Sequence, residues 1–236
     1  MLWFLSLGFL TGLSHALEAD HLAAIGAMAV DKRKKGRGEH SLARRGAAWG
    51  IGHALTLFAI CAAAILLGLT LSDQLAAALE FAVGLMLIFL GVDVIRRMRR
   101  ARIHFHKHDH GDGAPHIHAH SHAKTSDHNH EHARGLPLKP LLVGLAHGAA
   151  GSGALLVLAL AATQEPWLAI VYVVIFGVGA VAGMALLTYA ASWPLSWAER
   201  GAGWIYKGVS LASAAVAMGL GVSIVVDRWA MAIEVF

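Results

Sequence analysis

The chain has one cysteine in 236 residues, Cys61. A single thiol excludes an intramolecular disulfide and a thiolate metal cage. Charge is scarce too: Asp, Glu, Lys and Arg make up 14% of the residues, against about 25% in a soluble domain. There is no Gly-x4-Gly-Lys-Ser/Thr loop, so the chain carries no P-loop ATPase of its own. The opening residues Met1-Leu2-Trp3-Phe4 lack a basic n-region. The first apolar segment therefore reads as a retained helix, not a cleaved signal peptide.

What fills the space is apolar. The chain is 57% hydrophobic with a mean hydropathy of +0.59. A membrane-crossing helix takes about 20 apolar residues. Six runs reach that length: 2–30, 46–71, 75–95, 138–163, 167–192 and 203–226. The expectation is an all-α integral membrane protein of six transmembrane helices in the lipid bilayer.

Orientation follows from the basic residues. Residues 31–45 hold Lys32, Arg33, Lys34, Lys35, Arg37, Arg44 and Arg45. The third run ends in Arg96, Arg97, Arg99, Arg100 and Arg102, and Lys107, Lys124, Arg134 and Lys139 follow. Arg200 and Lys207 border the last loop, and Arg228 alone falls on the other side. The positive-inside rule then places both termini outside and the basic loops in the cytoplasm, across the cell (inner) membrane. The basic pI is a topology signal, not a nucleic-acid footprint.

The two ends of the chain resemble each other at an offset of 130–132 residues. Gly12-Leu13-Ser14-His15 matches Gly144-Leu145-Ala146-His147. Gly52-His53-Ala54-Leu55 matches Gly183-Met184-Ala185-Leu186, and Leu90-Gly91-Val92-Asp93 matches Leu220-Gly221-Val222-Ser223. Helices one and four run in opposite directions, so the expected repeat is inverted. The domain reading is 1–95 as a first three-helix repeat, 96–137 as a basic, His-rich cytoplasmic loop, and 138–236 as a second repeat. Inverted three-plus-three repeats are a transporter architecture with its site near the midplane.

The chemistry concentrates in His15-Ala16-Leu17-Glu18-Ala19-Asp20-His21. A charged side chain at the bilayer centre costs about 2.5–3.5 kcal/mol on insertion scales. Four ionisable groups at that depth call for a cation partner. His15, Glu18 and His21 are spaced i, i+3, i+6 and form one stripe about 120° wide on an ideal helix. Asp20 lies off that stripe. Either the helix is distorted there, or Asp20 faces another neighbour and orients a ligand. His53 and His147 each lie within other apolar runs. The candidate metal set is His15, Glu18, Asp20, His21, His53 and His147. Asp93 reads as an interfacial carboxylate, as does Glu80, which lies near the outer end of its helix and could attract cations; Met28 reads as a residue near the exit path. Imidazole suits Ni, Co, Zn, Cu and Fe, whereas carboxylates alone suit Mg, Ca or Mn. The mixture favours a first-row transition metal.

On these residues the chain resembles the nickel/cobalt permeases. His15, Asp20 and His21 form the His-x4-Asp-His pattern of that family's signature helix, and Gly52-His53 is similar to its Gly-His pair. Glu18 stands where the family has Asp. The segment His147-Gly148-Ala149-Ala150-Gly151-Ser152 looks like the compact, urease-accessory-type branch. The resemblance implies metal recognition at the signature and transport of Ni²⁺ or Co²⁺, with Zn²⁺ as a further cargo. It implies no prosthetic group and no enzymatic activity. Metal-enzyme maturation proteins are compatible partners.

Residues 104–132 carry eleven of the sixteen histidines among Asp, Gly, Lys and Ser. Without hydrophobic periodicity the loop reads as disordered. Dense neutral imidazoles bind divalent metal in many interchangeable ways. An importer could use them to hold incoming metal, and an exporter to collect excess. The leading expectation is a secondary transporter working as an importer. The alternatives are an efflux permease, and, from another class, a membrane metalloenzyme or a metal-binding accessory protein. Import predicts metal resistance on deletion of the gene; export predicts sensitivity.

Overall fold

The structure, a computed structural model, describes residues 2–29, 40–69, 72–100, 104–108, 116–120, 137–163, 165–200 and 203–233. In lipid the backbone must bond to itself, so apolar runs of this length become helices. Among the described residues the helices are α1 (Leu2–His15), α2 (Ala19–Ala29), α3 (His40–Leu67), α4 (Asp73–Arg100), α5 (Leu138–Gly148), α6 (Ser152–Ala162), α7 (Pro166–Arg200) and α8 (Gly203–Ala232). Four are long and apolar enough to cross a membrane: Leu42–Leu67, Asp73–Arg99, Pro166–Ala191 and Lys207–Ala232. The apolar body is that of a helical, multi-pass membrane protein.

The first and fourth apolar runs are not continuous helices; the first has the distortion that the off-stripe Asp20 offered as one alternative, and the break in the fourth is unexpected. Each is split in two. Glu18 N–H donates to His15 C=O at 3.1 Å, an i→i−3 bond that tightens and ends α1. Ala150 N–H donates to His147 C=O at 3.3 Å and ends α5 the same way. No proline causes either break. The stripe of His15, Glu18 and His21 on one helix is accordingly corrected: His15 ends α1, Glu18 stands in the break and His21 lies in α2.

Glycines set the helix crossings by removing the Cβ that would meet a neighbouring backbone. A Cβ on Gly12 would strike Phe176 C=O, and one on Gly144 would strike Trp49 C=O. A Cβ on Gly179 would strike Phe9 C=O, and one on Gly52 would strike Leu141 C=O. The α1–α7 crossing thus repeats in the α5–α3 crossing. These contacts place Gly52 with Gly179 and His53 with Ala180, 127 residues on. The expected match of Gly52 to Gly183 and of His53 to Met184 is corrected by four residues, about one helical turn. For α4 and α8 the expected offset agrees with the contacts, because Gly91 meets Ala214 C=O as Gly221 meets Gly84 C=O.

Two apolar clusters fill the body. One gathers Trp49, Leu87 and Met184; the other gathers Leu57, Cys61, Leu155 and Phe176. Cys61 is buried in the second. The segment 96–137 is not without regular structure throughout: α4 continues to Arg100, and β1 (His104–His108) pairs antiparallel with β2 (His116–His120). In that register His104 is opposite His120, His106 opposite His118 and His108 opposite His116. The remainder of the loop, with His110, His122, His128, His130 and His132, lies outside the described residues.

Candidate metal centre

The two helix breaks bring the predicted residues together. His15 ends α1, His21 sits in the first turn of α2, His53 lies within α3, and His147 is one residue from the end of α5. Gly148 lets α5 approach so closely that a Cβ there would strike His53 C=O. That contact carries His147 to the α3 face bearing His53.

Ring centroids of His15 and His21 are 4.6 Å apart, and those of His21 and His53 are 5.0 Å apart. His21 and His147 stack at 4.4 Å with an interplanar angle of 17°. His15 Nε2 lies 3.1 Å from His53 Nε2. Two triads result, His15–His21–His53 and Asp20–His21–His147, each with one ligand atom per residue within 4.8 Å of the others. His21 belongs to both.

The carboxylates hold the imidazoles. Glu18 Oε1 is 2.6 Å from His15 Nδ1. Asp20 Oδ1 is 2.9 Å from His21 Nδ1 and accepts the His21 backbone N–H at 2.8 Å, while Oδ2 is 3.0 Å from His147 Nε2. A carboxylate on one ring nitrogen fixes tautomer and orientation and leaves the other nitrogen for a metal. His21 Nε2, His53 Nδ1 and His147 Nδ1 are buried without a hydrogen-bond partner. Buried polar atoms normally have partners. Three orphaned histidine nitrogens, two of them on carboxylate-anchored imidazoles, suit a soft-to-borderline divalent cation.

A cavity of about 350 Å³ contains the centre, lined by all six predicted residues and also by Thr11, Ser14, Phe176 and Glu80. Exposure is graded across the centre: Glu18 is 56% exposed, Asp20 26%, and His21 1%. A second cavity of about 230 Å³ lies toward the basic residues Arg45, Arg97 and Lys139 and contains none of the six. Met28 lines that one. Asp93 borders it too, accepting from Arg97 and, at 2.8 Å, from Lys139 Nζ. Asp93 therefore stands apart from the centre.

One residue of the site escaped the sequence reading. Trp49 is wholly buried, with its ring 5.6 Å from His21 and 5.7 Å from His147. Its spacing of i, i+4 from His53 was the available signal. Glu80, expected as an interfacial carboxylate able to attract cations, lines the cavity as well, which nothing local to α4 shows.

Broken helices, a histidine–carboxylate cluster and the cavity that contains it define a multi-pass membrane protein with a polar centre whose groups could hold a cation. Urease accessory protein UreH of Bacillus sp. (strain TB-90) is 33% identical to the chain over 201 residues, covering 85% of this chain and 81% of the relative. The chain belongs to the family of that urease accessory protein. The relative is named as an accessory protein and not as an enzyme, in keeping with the non-enzymatic reading. No family profile and no solved structure matches the chain.

Proposed function

We propose that the chain is a secondary transporter that moves Ni²⁺ or Co²⁺ across the membrane through the centre of His15, Glu18, Asp20, His21, His53 and His147. The observation that carries the reading is the pair of interlocking triads at two helix breaks. Discontinuous helices at a site between repeats are how secondary transporters expose backbone and side chains to an ion. The repeated glycine crossings support an inverted three-plus-three arrangement, with the split segments α1–α2 and α5–α6 completing six spans. Kinship to a urease accessory protein supports nickel as cargo, since urease maturation consumes that metal.

Import is the favoured direction. The cavity holding the centre has no Lys or Arg in its lining, whereas the second is lined by Arg45, Arg97 and Lys139, the residues that the positive-inside rule puts at the cytoplasmic face. A negative interior drives a divalent cation inward, at about 2.3 kcal/mol per charge per 100 mV. Ligands must shed protons to bind metal, so the centre also offers a route to proton exchange.

Uptake of radiolabelled Ni²⁺ into proteoliposomes tests the proposal. The expected result is uptake driven by an inside-negative potential and abolished by His15→Ala and Asp20→Ala. Unchanged uptake in both variants overturns the site; absence of uptake by the unaltered chain overturns transport.

A further inference from the structure

Of the three carboxylates lining the cavity, Glu18 and Asp20 are held by histidines. Glu80 is held instead by a cation: its Oε2 lies 2.5 Å from Nε of Arg228 on α8. Glu80 sits seven residues into α4 from Asp73, about 10 Å along the helix. Both side chains are partly exposed, 35% for Glu80 and 40% for Arg228. Glu80 lines the cavity and Arg228 does not, and both are more exposed than Asp20 of the centre.

The surroundings hold the pair in place. The neighbouring rings of Phe81 and Trp229 are 5.8 Å apart, packing α4 on α8 beside it. One turn further in, Gly84 and Gly221 each have the other's backbone where a Cβ would go. The joint is therefore rigid, and the mobile parts are the side chains of Glu80 and Arg228. Arg228 is also the one Lys or Arg that the topology places on the outer side.

We propose that Glu80 is the outer capture point of the cation pathway and that Arg228 is its competing counter-charge. The proposal rests on the centre being a divalent cation site. An arriving divalent cation displaces one guanidinium charge from the carboxylate. It then passes to Glu18, the exposed carboxylate of the centre, and on to His15. A monovalent ion carries no charge advantage over the guanidinium it must displace. Glu80 thus sets the rate of capture, and the histidine cluster sets the affinity.

The test is the rate of Ni²⁺ association with the purified full chain. The readout is the part of tryptophan fluorescence quenching that Trp49→Phe removes. Trp49 touches the cluster, so this phase excludes metal held by the His-rich loop. Glu80→Gln is expected to slow the phase about tenfold at low salt, with the difference shrinking at high salt. Arg228→Gln is expected to quicken it. Opposite signs distinguish capture from a structural clasp, whose loss would act in one direction for both variants. If both variants slow the phase, or neither changes it, the capture role of Glu80 is overturned while the metal centre stands. If the unaltered chain shows no such phase with Ni²⁺, the metal reading itself falls, and the capture role with it.

Discussion

The break after His15 and the break after His147 use the same backbone device and carry different chemistry. In both, an i→i−3 bond back to the histidine carbonyl ends a helix. The first break is followed by Glu18, Asp20 and His21; the second by Ala149, Ala150 and Gly151. One therefore supplies carboxylates and a shared imidazole, and the other a single histidine and room. The comparison shows that the broken backbone provides the geometry, while the residues at one break alone provide the charge.

The sharpest way to break the asymmetry is His21→Ala. His21 is common to both triads, so its loss should lower Ni²⁺ affinity by more than the roughly 100-fold ceiling typical of changes behind the ligands. Isothermal titration of the purified protein checks this, with His147→Ala as the counterpart that loses one triad only. A smaller effect separates the two carboxylates. Asp20→Asn should weaken binding by about 10–100-fold, because Asp20 anchors His21 and faces His147. Glu18→Gln should cost less, because Glu18 is mostly exposed and holds only His15. A reversed order would place the metal on the Glu18 side of the centre.

The glycines of the second break affect stability and not charge, and the smallest effect is expected at one of them. Gly148→Ala drives a methyl into the His53 backbone and should destabilise the fold by about 1–3 kcal/mol. Gly151 has an ordinary right-handed backbone, and its added methyl would sit 3.6 Å from the His15 ring, a normal contact. Gly151→Ala should change stability by no more than about 0.5 kcal/mol. Thermal unfolding in detergent compares the two.

Much of the centre was legible because its signals are local. A cluster of histidines and acids in an apolar run stands out, and its four residues line one cavity together with His53 and His147. The straight stripe failed because 100° spacing presumes a continuous helix; Asp20 lying off the stripe was the local sign of a break, and Ala16 and Leu17 add none. The one-turn error in matching Gly52 has a similar cause. Small apolar residues align equally well at Gly179 and Gly183, and only the partner backbone distinguishes them. The histidine-rich segment looked unstructured because a ladder of alternating histidines has no hydrophobic period to reveal it.

By itself the sequence determined the class of molecule, the apolar runs, the asymmetry of basic charge and the ligand types. Each of these is a property of neighbouring residues or of composition. The tertiary structure decided which histidine meets which, how Asp20 comes to face His147 across 127 residues, and that Glu80 borders the same cavity. The reason is physical. Those contacts depend on where helices cross, and crossings are set by backbones meeting at glycines far apart in the chain.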